Sequence, residues 1–200
     1  MKVIDTAISG VKILEPNVFG DERGFFMETW QRRTMADLGL DADFVQDNHS
    51  RSSRGILRGL HLQKVQTQGK LVRVVRGEVF DVAVDLRLDS ATYGQWAGVM
   101  LSEANKRLFW VPEGFAHGFV VTSHEAEFLY KCTDYYAPEH EVSIAWNDPI
   151  LSIDWPIPKG DVPQLSAKDC NGVAFESIGG FRNGVYHDPV AKAMGREACA

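Results

Sequence analysis

An all-β barrel or sandwich is the architecture this chain predicts, and three features of the sequence point to it. Short runs of alternating apolar and polar residues recur along most of its length. Gly, Pro, Asn and Asp residues punctuate those runs at short intervals. Helical periodicity is nearly absent. A period of two places every second side chain on one face of a strand, so each run buries one face. About ten such strands joined by tight turns make a sandwich or a closed barrel.

Taken in order, strands are expected over residues 11–14, 25–30, 70–75, 78–86, 95–101, 107–111, 116–121, 127–133 and 142–146. The clearest is 78–86. It puts Phe80, Val82, Val84 and Leu86 on one face and Asp81, Ala83 and Asp85 on the other, the pattern of a half-buried strand. Arg76-Gly77, Pro112-Glu113-Gly114, Ala137-Pro138 and Asp148-Pro149 supply turns. In 127–133, alternation puts Phe128, Tyr130 and Cys132 on one face. The best helix runs from Gln31 to Leu38 and ends near Gly39. No Gly/Ser linker or repeat divides the chain, so residues 1–175 read as a single domain. After Asp169 the pattern decays into Gly179-Gly180, Gly184 and a charged, Ala-rich end. Residues 176–200 are expected to form an extension, either a tail or a short helix laid on the barrel, with its tip disordered.

Composition narrows the class. Two hundred residues suffice to bury a core, and 44% hydrophobic with 24% charged residues is the balance of a soluble globular protein. No apolar run is long enough to span a bilayer, and Met1-Lys2-Val3-Ile4-Asp5 has no secretory apolar segment. Cys132, Cys170 and Cys199 have no C-x-x-C spacing, so neither a disulfide framework nor a thiolate metal site is expected. A reduced, cytoplasmic protein follows.

A net charge of −6 argues against nucleic acid as a partner. Its distribution is uneven. Between residues 51 and 76 lie Arg51, Arg54, Arg58, Lys64, Lys70, Arg73 and Arg76, with no Asp or Glu. A solvated basic face is one reading. The other is that strand alternation turns half of these charges into whatever the sheet encloses, making a trap for a small anion such as a diphosphate.

His61, in Arg58-Gly59-Leu60-His61-Leu62-Gln63, is the first candidate for chemistry. Cations beside it in sequence would hold the imidazole neutral, as a proton-abstracting base requires. Metal-binding barrels of the cupin type usually offer a second histidine one residue further on, with a carboxylate. Here that place holds Gln63, so no metal is expected. His117 is either a core histidine or a hydrogen-bonding partner of a ligand or carboxylate. Tyr130 is either a barrel aromatic or a general acid. A tyrosine at a cleft mouth can stack on a nucleobase. Asp169, taken alone, is a surface residue. If the chain folds back, its carboxylate can orient His61.

Several ordered segments resemble the dTDP-4-dehydrorhamnose 3,5-epimerase family. They are Phe19-Gly20-Asp21-Glu22-Arg23-Gly24-Phe25-Phe26, Phe44-Val45-Gln46-Asp47-Asn48-His49-Ser50, Leu57-Arg58-Gly59-Leu60-His61 and Gln68-Gly69-Lys70-Leu71-Val72-Arg73. The strand 79–85, the run 112–119, Phe128-Leu129-Tyr130-Lys131 and Leu165-Ser166-Ala167-Lys168-Asp169 continue the likeness to about residue 170. The resemblance implies a cupin-like jelly-roll β-barrel with a few short peripheral helices, acting as a homodimer without metal or cofactor. It implies a nucleotide-sugar substrate and epimerisation beside a ketone, with no membrane partner. By matching position His61 is the base, Asp169 its partner, Tyr130 the opposite-face acid and Lys70 the cation for the enolate oxygen. Arg23, Glu28, Gln46, Asp47, Asn48, Arg58, His117, Glu141 and Lys168 match substrate-holding residues, and Tyr136 the position stacking on thymine. The amino-terminal strand of the family crosses to the other subunit, which would send Arg23 and Glu28 to the partner's site.

Between His61 and Lys70 this chain lacks the prolines common in that loop, and Leu62 stands where an aromatic is usual. Three alternatives stay open: a relative that inverts only one carbon or shifts the ketone between C3 and C4, a metal-dependent cupin enzyme, and a non-catalytic nucleotide-sugar binding barrel.

Overall fold

The computed structural model describes residues 1–189. Two antiparallel sheets stand face to face. The first has the order β1 (Lys2–Asp5), β2 (Lys12–Glu15), β10 (Leu108–Val111), β7 (Lys70–Arg76), β12 (Glu125–Cys132) and β5 (Gln46–Ser53). The second runs β13 (Glu141–Ser143), β6 (Leu57–Gln63), β11 (Phe115–Val121), β8 (Glu78–Asp85) and β9 (Trp96–Ser102). Two hairpins stand apart, β3 (Val18–Asp21) with β4 (Gly24–Met27) and β14 (Gly180–Arg182) with β15 (Val185–His187). Neighbours in both sheets come from distant parts of the chain, as in the expected cupin-like jelly roll.

Burial falls into three layers. Between the sheets, Val72, Val74, Phe109 and Phe128 of the first meet Val79, Val99, Phe115 and Phe119 of the second. Outside the second sheet, Leu60, Val82, Val84 and Val120 are covered by Leu151, Trp155, Phe175 and Phe181. Outside the first, Leu14, Leu71 and Leu108 pack with Met35 and Leu40. Met35 lies in α1 (Arg32–Asp37), where the Gln31 side chain accepts a 2.7 Å bond from the Thr34 N–H. That is the expected helix, trimmed to its caps.

Both faces of the second sheet are therefore buried, which corrects the half-buried reading of β8. Its apolar face looks outward under the carboxy-terminal segment, and Ala83 looks inward. Asp81 and Asp85 are fully buried. Asp85 satisfies its carboxylate with Arg87, Ser90 and Thr92. Two strands are shorter than expected: β4 stops at Met27 and β13 at Ser143. Ile144 leaves its strand to bridge Val173 instead. A polar strand, β5, lies where no apolar alternation signals one.

The carboxy-terminal reading also changes. Ile178 and Phe181 are buried, and residues 180–187 form a hairpin, not a tail or a helix. The tip of that extension, expected to be disordered, falls among residues 190–200, which lie outside the described residues. Among the described residues no helix is long and apolar enough to cross a membrane. Cys132 is a buried free thiol and Cys170 an exposed one.

Candidate active site

Regular alternation cannot point both Arg58 and His61 into the barrel, because they are three residues apart. A bulge does so. His117 pairs with His61 and Phe119 with Arg58, so three residues of β6 beyond Arg58 span only two of β11. Gly59 absorbs the extra residue at φ +116°, where an added Cβ would lie 2.5 Å from Gly118 Cα and 2.7 Å from the His117 carbonyl oxygen. Only glycine fits that approach. Gly59→Ala is expected to cost about 2–4 kcal/mol in urea denaturation, the clash adding to the unfavourable φ. A loss below about 0.5 kcal/mol would contradict that view of the bulge.

The chain folds back as Asp169 requires. Helix α2 (Ala167–Cys170) is capped by Ser166, whose Oγ accepts from the Asp169 N–H at 3.1 Å and donates to Asp169 Oδ2 at 2.7 Å. Asp169 Oδ1 then lies 2.5 Å from His61 Nε2. Burial pushes the Asp169 carboxyl up, but hydrogen bonds from His61 and Ser166 outweigh it and hold it below the ordinary value. An ionised carboxylate can only accept, so Nε2 carries a hydrogen, and in the neutral ring the lone pair is the one on Nδ1. The His61 side chain is 24% exposed and that of Asp169 is 3% exposed. The ring can reach a ligand while its partner stays dry.

Nδ1 of His61 lies 3.8 Å from Glu141 Oε1. Glu141 also pairs with Lys168 and accepts a 2.7 Å bond from the Tyr136 hydroxyl. Burial raises the Glu141 carboxyl, and Lys168 and Tyr136 reverse that to leave it lowered. The same bond to Glu141 pushes Tyr136 up to about 12. Asp169 and Glu141 thus contribute stability that is complete above about pH 5 and lost as pH falls through their lowered folded values. Urea denaturation from pH 7 to pH 2 should give a flatter stability profile for Asp169→Asn combined with Glu141→Gln. A wild-type slope in that variant would count against the pairing.

The first sheet supplies the opposite wall. Lys70, Val72 and Val74 of β7 face inward, as do Phe128, Tyr130 and Cys132 of β12. Burial lowers Lys70 from the ordinary ammonium value, opposed by Cys132, Glu141 and Asp81. Burial raises the Tyr130 phenol, aided by Cys132 and Glu141 and countered by Arg58, so it stays protonated. Arg58 is steadied by a 3.0 Å bond from Nε to Ser52 Oγ. Asn48 pairs with Tyr130 across the ladder, and Gln46 Oε1 accepts from the Tyr136 N–H at 2.9 Å. His117, next to His61, is 2.8 Å from buried Asp81 through Nε2. His117 is thus a buried histidine satisfied by a carboxylate, which fits both readings of it.

Some expected residues lie elsewhere. Asp47 points from the outer face of β5 to Lys131, 2.7 Å away, because strand alternation opposes it to Gln46 and Asn48. Arg23 pairs with Asp21 inside its own exposed hairpin, and Glu28 follows that hairpin. Of the seven cations between 51 and 76, only Arg58 and Lys70 turn inward. Arg51 and Arg76 bind Glu125 on the outside, and Lys64 meets the carboxy-terminal hairpin. The charged groups closest to His61 are carboxylates, so the sequence argument that cations keep it neutral fails. Gly59, Ser166 and Ser52 have supporting roles not anticipated from the sequence. For Gly59, a glycine inside a strand pattern was the available signal. Among the described residues, no three His, Cys, Asp or Glu side chains are placed to hold a metal ion.

A carboxylate-bonded imidazole on one sheet of a jelly roll, with a phenol and an ammonium on the other, is an arrangement able to carry acid–base chemistry. A sequence model of the dTDP-4-dehydrorhamnose 3,5-epimerase family matches residues 5–177. A dTDP-4-dehydrorhamnose 3,5-epimerase of Pseudomonas aeruginosa is 61% identical over 176 residues, covering 88% of this chain and 96% of its own. One from Salmonella typhimurium is 60% identical over 171 residues, covering 84% and 92%. The crystal structure of the Legionella pneumophila dTDP-6-deoxy-D-glucose-3,5-epimerase, in complex with dTDP-4-keto-L-rhamnose, is similar with a TM-score of 0.84. Its identity is 59%, with 86% of this chain and 92% of that one covered. The chain belongs to the dTDP-4-dehydrorhamnose 3,5-epimerase family.

Proposed function

We propose that the chain converts dTDP-4-dehydro-6-deoxy-D-glucose to dTDP-4-dehydro-L-rhamnose by exchanging the protons at C3 and C5. The observation that carries this reading is the division of labour between sheets. His61, bonded to Asp169 at 2.5 Å, comes from one sheet, and Tyr130 from the other. Inversion needs proton removal on one face of the sugar and delivery on the other, hence two side chains. Nδ1 of His61 takes the proton, and Asp169 stabilises the imidazolium that forms. Negative charge then develops on the C4 oxygen, where Lys70 is the suited cation. Tyr130 returns a proton from the opposite face.

Arg58 and Lys168 would bond the diphosphate, with Gln46, Asn48, His117 and Glu141 completing the cradle and Tyr136 stacking on thymine. No step requires a metal or cofactor. Phe19 and Phe26 of the β3–β4 hairpin are 66% and 70% exposed, which supports a homodimer whose second copy covers them and receives Arg23 and Glu28. The site for Asp47 in this scheme would be its main chain, since its side chain faces away.

Incubation with the 4-keto-6-deoxy nucleotide sugar in heavy water, followed by NMR, tests the reading. Deuterium at both C3 and C5 of the inverted product is expected. Label at one centre identifies an epimerase of a single carbon, and label at neither overturns the proposal. Light scattering on the same sample is expected to give twice the chain mass.

A further inference from the structure

The β14–β15 hairpin begins beyond residue 177, where the family match ends. It is nonetheless firmly docked. Phe181 is buried, its N–H donates to the Leu86 carbonyl at 2.8 Å, and its own carbonyl accepts from Leu88 at 2.8 Å. A Cβ on Gly180 would sit 2.4 Å from the Leu86 oxygen, so this contact is built around a glycine. Tyr186 crosses the hairpin edge-on to Phe181 at 5.3 Å, and its hydroxyl accepts from the Gly179 N–H at 2.9 Å. The ring is thereby fixed before anything else touches it.

What touches it is Lys64. Its Nζ lies 4.7 Å from the centre of the Tyr186 ring and 3.1 Å from Asp188 Oδ1. Lys64 is the first residue after β6 and opens the loop from the base to Lys70. Its N–H donates to the His140 carbonyl at 2.9 Å, one residue before Glu141. Gln63, beside it, donates to the carbonyls of Gln66 and Tyr135 at 2.7 and 3.1 Å and accepts from the Ala137 N–H at 3.0 Å. Those bonds bracket Tyr136. The loop contains no proline, and Gln66 sits at φ +53°, a left-handed conformation unfavourable for a side-chain-bearing residue. Such a residue persists when its surroundings over-determine it.

We propose that the carboxy-terminal hairpin, through Tyr186 and Asp188, clamps Lys64 and so positions the loop that braces Tyr136 and Glu141 for the nucleotide. Lys64, Tyr186 and Asp188 are positioning residues: they reach the ligand only through that loop. The inference rests on the reading of Tyr136 and Glu141 as part of a nucleotide-sugar site. It predicts an effect on affinity for the nucleotide and little on turnover. Each contact of the clamp is weak alone, so the effect is expected to be moderate.

The test compares wild type, Lys64→Met, Lys64→Arg, Tyr186→Ala and the double variant Lys64→Met with Tyr186→Ala. Thymidine diphosphate binding is read by calorimetry, KM and kcat by the epimerisation assay, and loop mobility by amide hydrogen exchange in residues 62–69. Lys64→Met and Tyr186→Ala should each weaken binding and raise KM about fivefold, with kcat within about twofold of wild type. The double variant should be no worse than either single one. Lys64→Arg, which keeps the cation, should restore affinity. Exchange over 62–69 should quicken in Lys64→Met and not in Lys64→Arg. Unchanged affinity and exchange in folded Lys64→Met overturns the proposal, and so does Lys64→Arg as weak as Lys64→Met. Should Tyr186→Ala not fold, the two Lys64 variants decide alone. Should wild type neither bind the nucleotide nor epimerise, the functional reading falls, and amide exchange alone decides the clamp.

Discussion

His61→Ala abolishes deuterium incorporation at C3 and C5 while leaving thymidine diphosphate binding within a few-fold of wild type. The expected fall is about 10³-fold or more, the upper part of what a positioned general base supplies. The substitution removes the Nδ1 lone pair and leaves Asp169 with Ser166 as its remaining side-chain partner. The nucleotide contacts proposed for Tyr136, Lys168 and Arg58 do not involve the imidazole and should survive. Asp169→Asn should fall nearly as far with the ring still present. An amide that turns its N–H₂ toward Nε2 forces the hydrogen onto Nδ1, the nitrogen that must accept. NMR in heavy water reads both variants. Exchange within tenfold of wild type in His61→Ala would remove it from the mechanism.

Tyr130→Phe separates the two halves of the reaction. Its half-buried phenol is held protonated, and the variant keeps the ring packed on the interior core while deleting the donor. Proton removal by His61 continues, so deuterium still enters the substrate. It enters with retained configuration, because only the original face can return it. The ratio of exchange to inverted product is expected to rise about 100-fold or more. Product formed at the wild-type rate would exclude Tyr130 as the acid.

Most of the fold was legible because most strands bury one apolar face on a packed neighbour. The alternation in β8 and β12 is of that kind, and the Gln31-capped helix likewise announces its ends. The strand β5, Gln-Asp-Asn-His-Ser-Arg-Ser-Ser, was silent because its inner face lines a polar cleft and its outer face meets water. A strand that builds a site need not look like a strand. The buried second face of β8 was hidden for another reason. Nothing local reveals that its apolar face packs under residues 148–181, far along the chain, which leaves the Ala83 face turned in toward the other sheet.

The site was legible mainly through resemblance. Residue chemistry alone left His61, His117, Tyr130 and Asp169 each with a structural alternative. The Ser166-x-x-Asp169 spacing of the cap is local, but the pairing of Asp169 with His61 spans 108 positions, which no local pattern foretells. The cation argument failed because strand parity and the facing strands decide where a charge goes, whatever its neighbours in sequence. Arg51 and Arg76 had Glu125 waiting outside the barrel.

The extra residue at Gly59 has a consequence for how this cleft can change over time. Arg58 and His61 share the interior only because one backbone irregularity resets the parity of β6. Deleting a residue there would rotate one of the two out of the cleft without altering either side chain. Substitutions around the cleft can therefore drift and retune what it accepts, each on its own scale. The inward-facing pair stands or falls as a unit, held by the length of chain between its members and by the glycine that lets that length bulge.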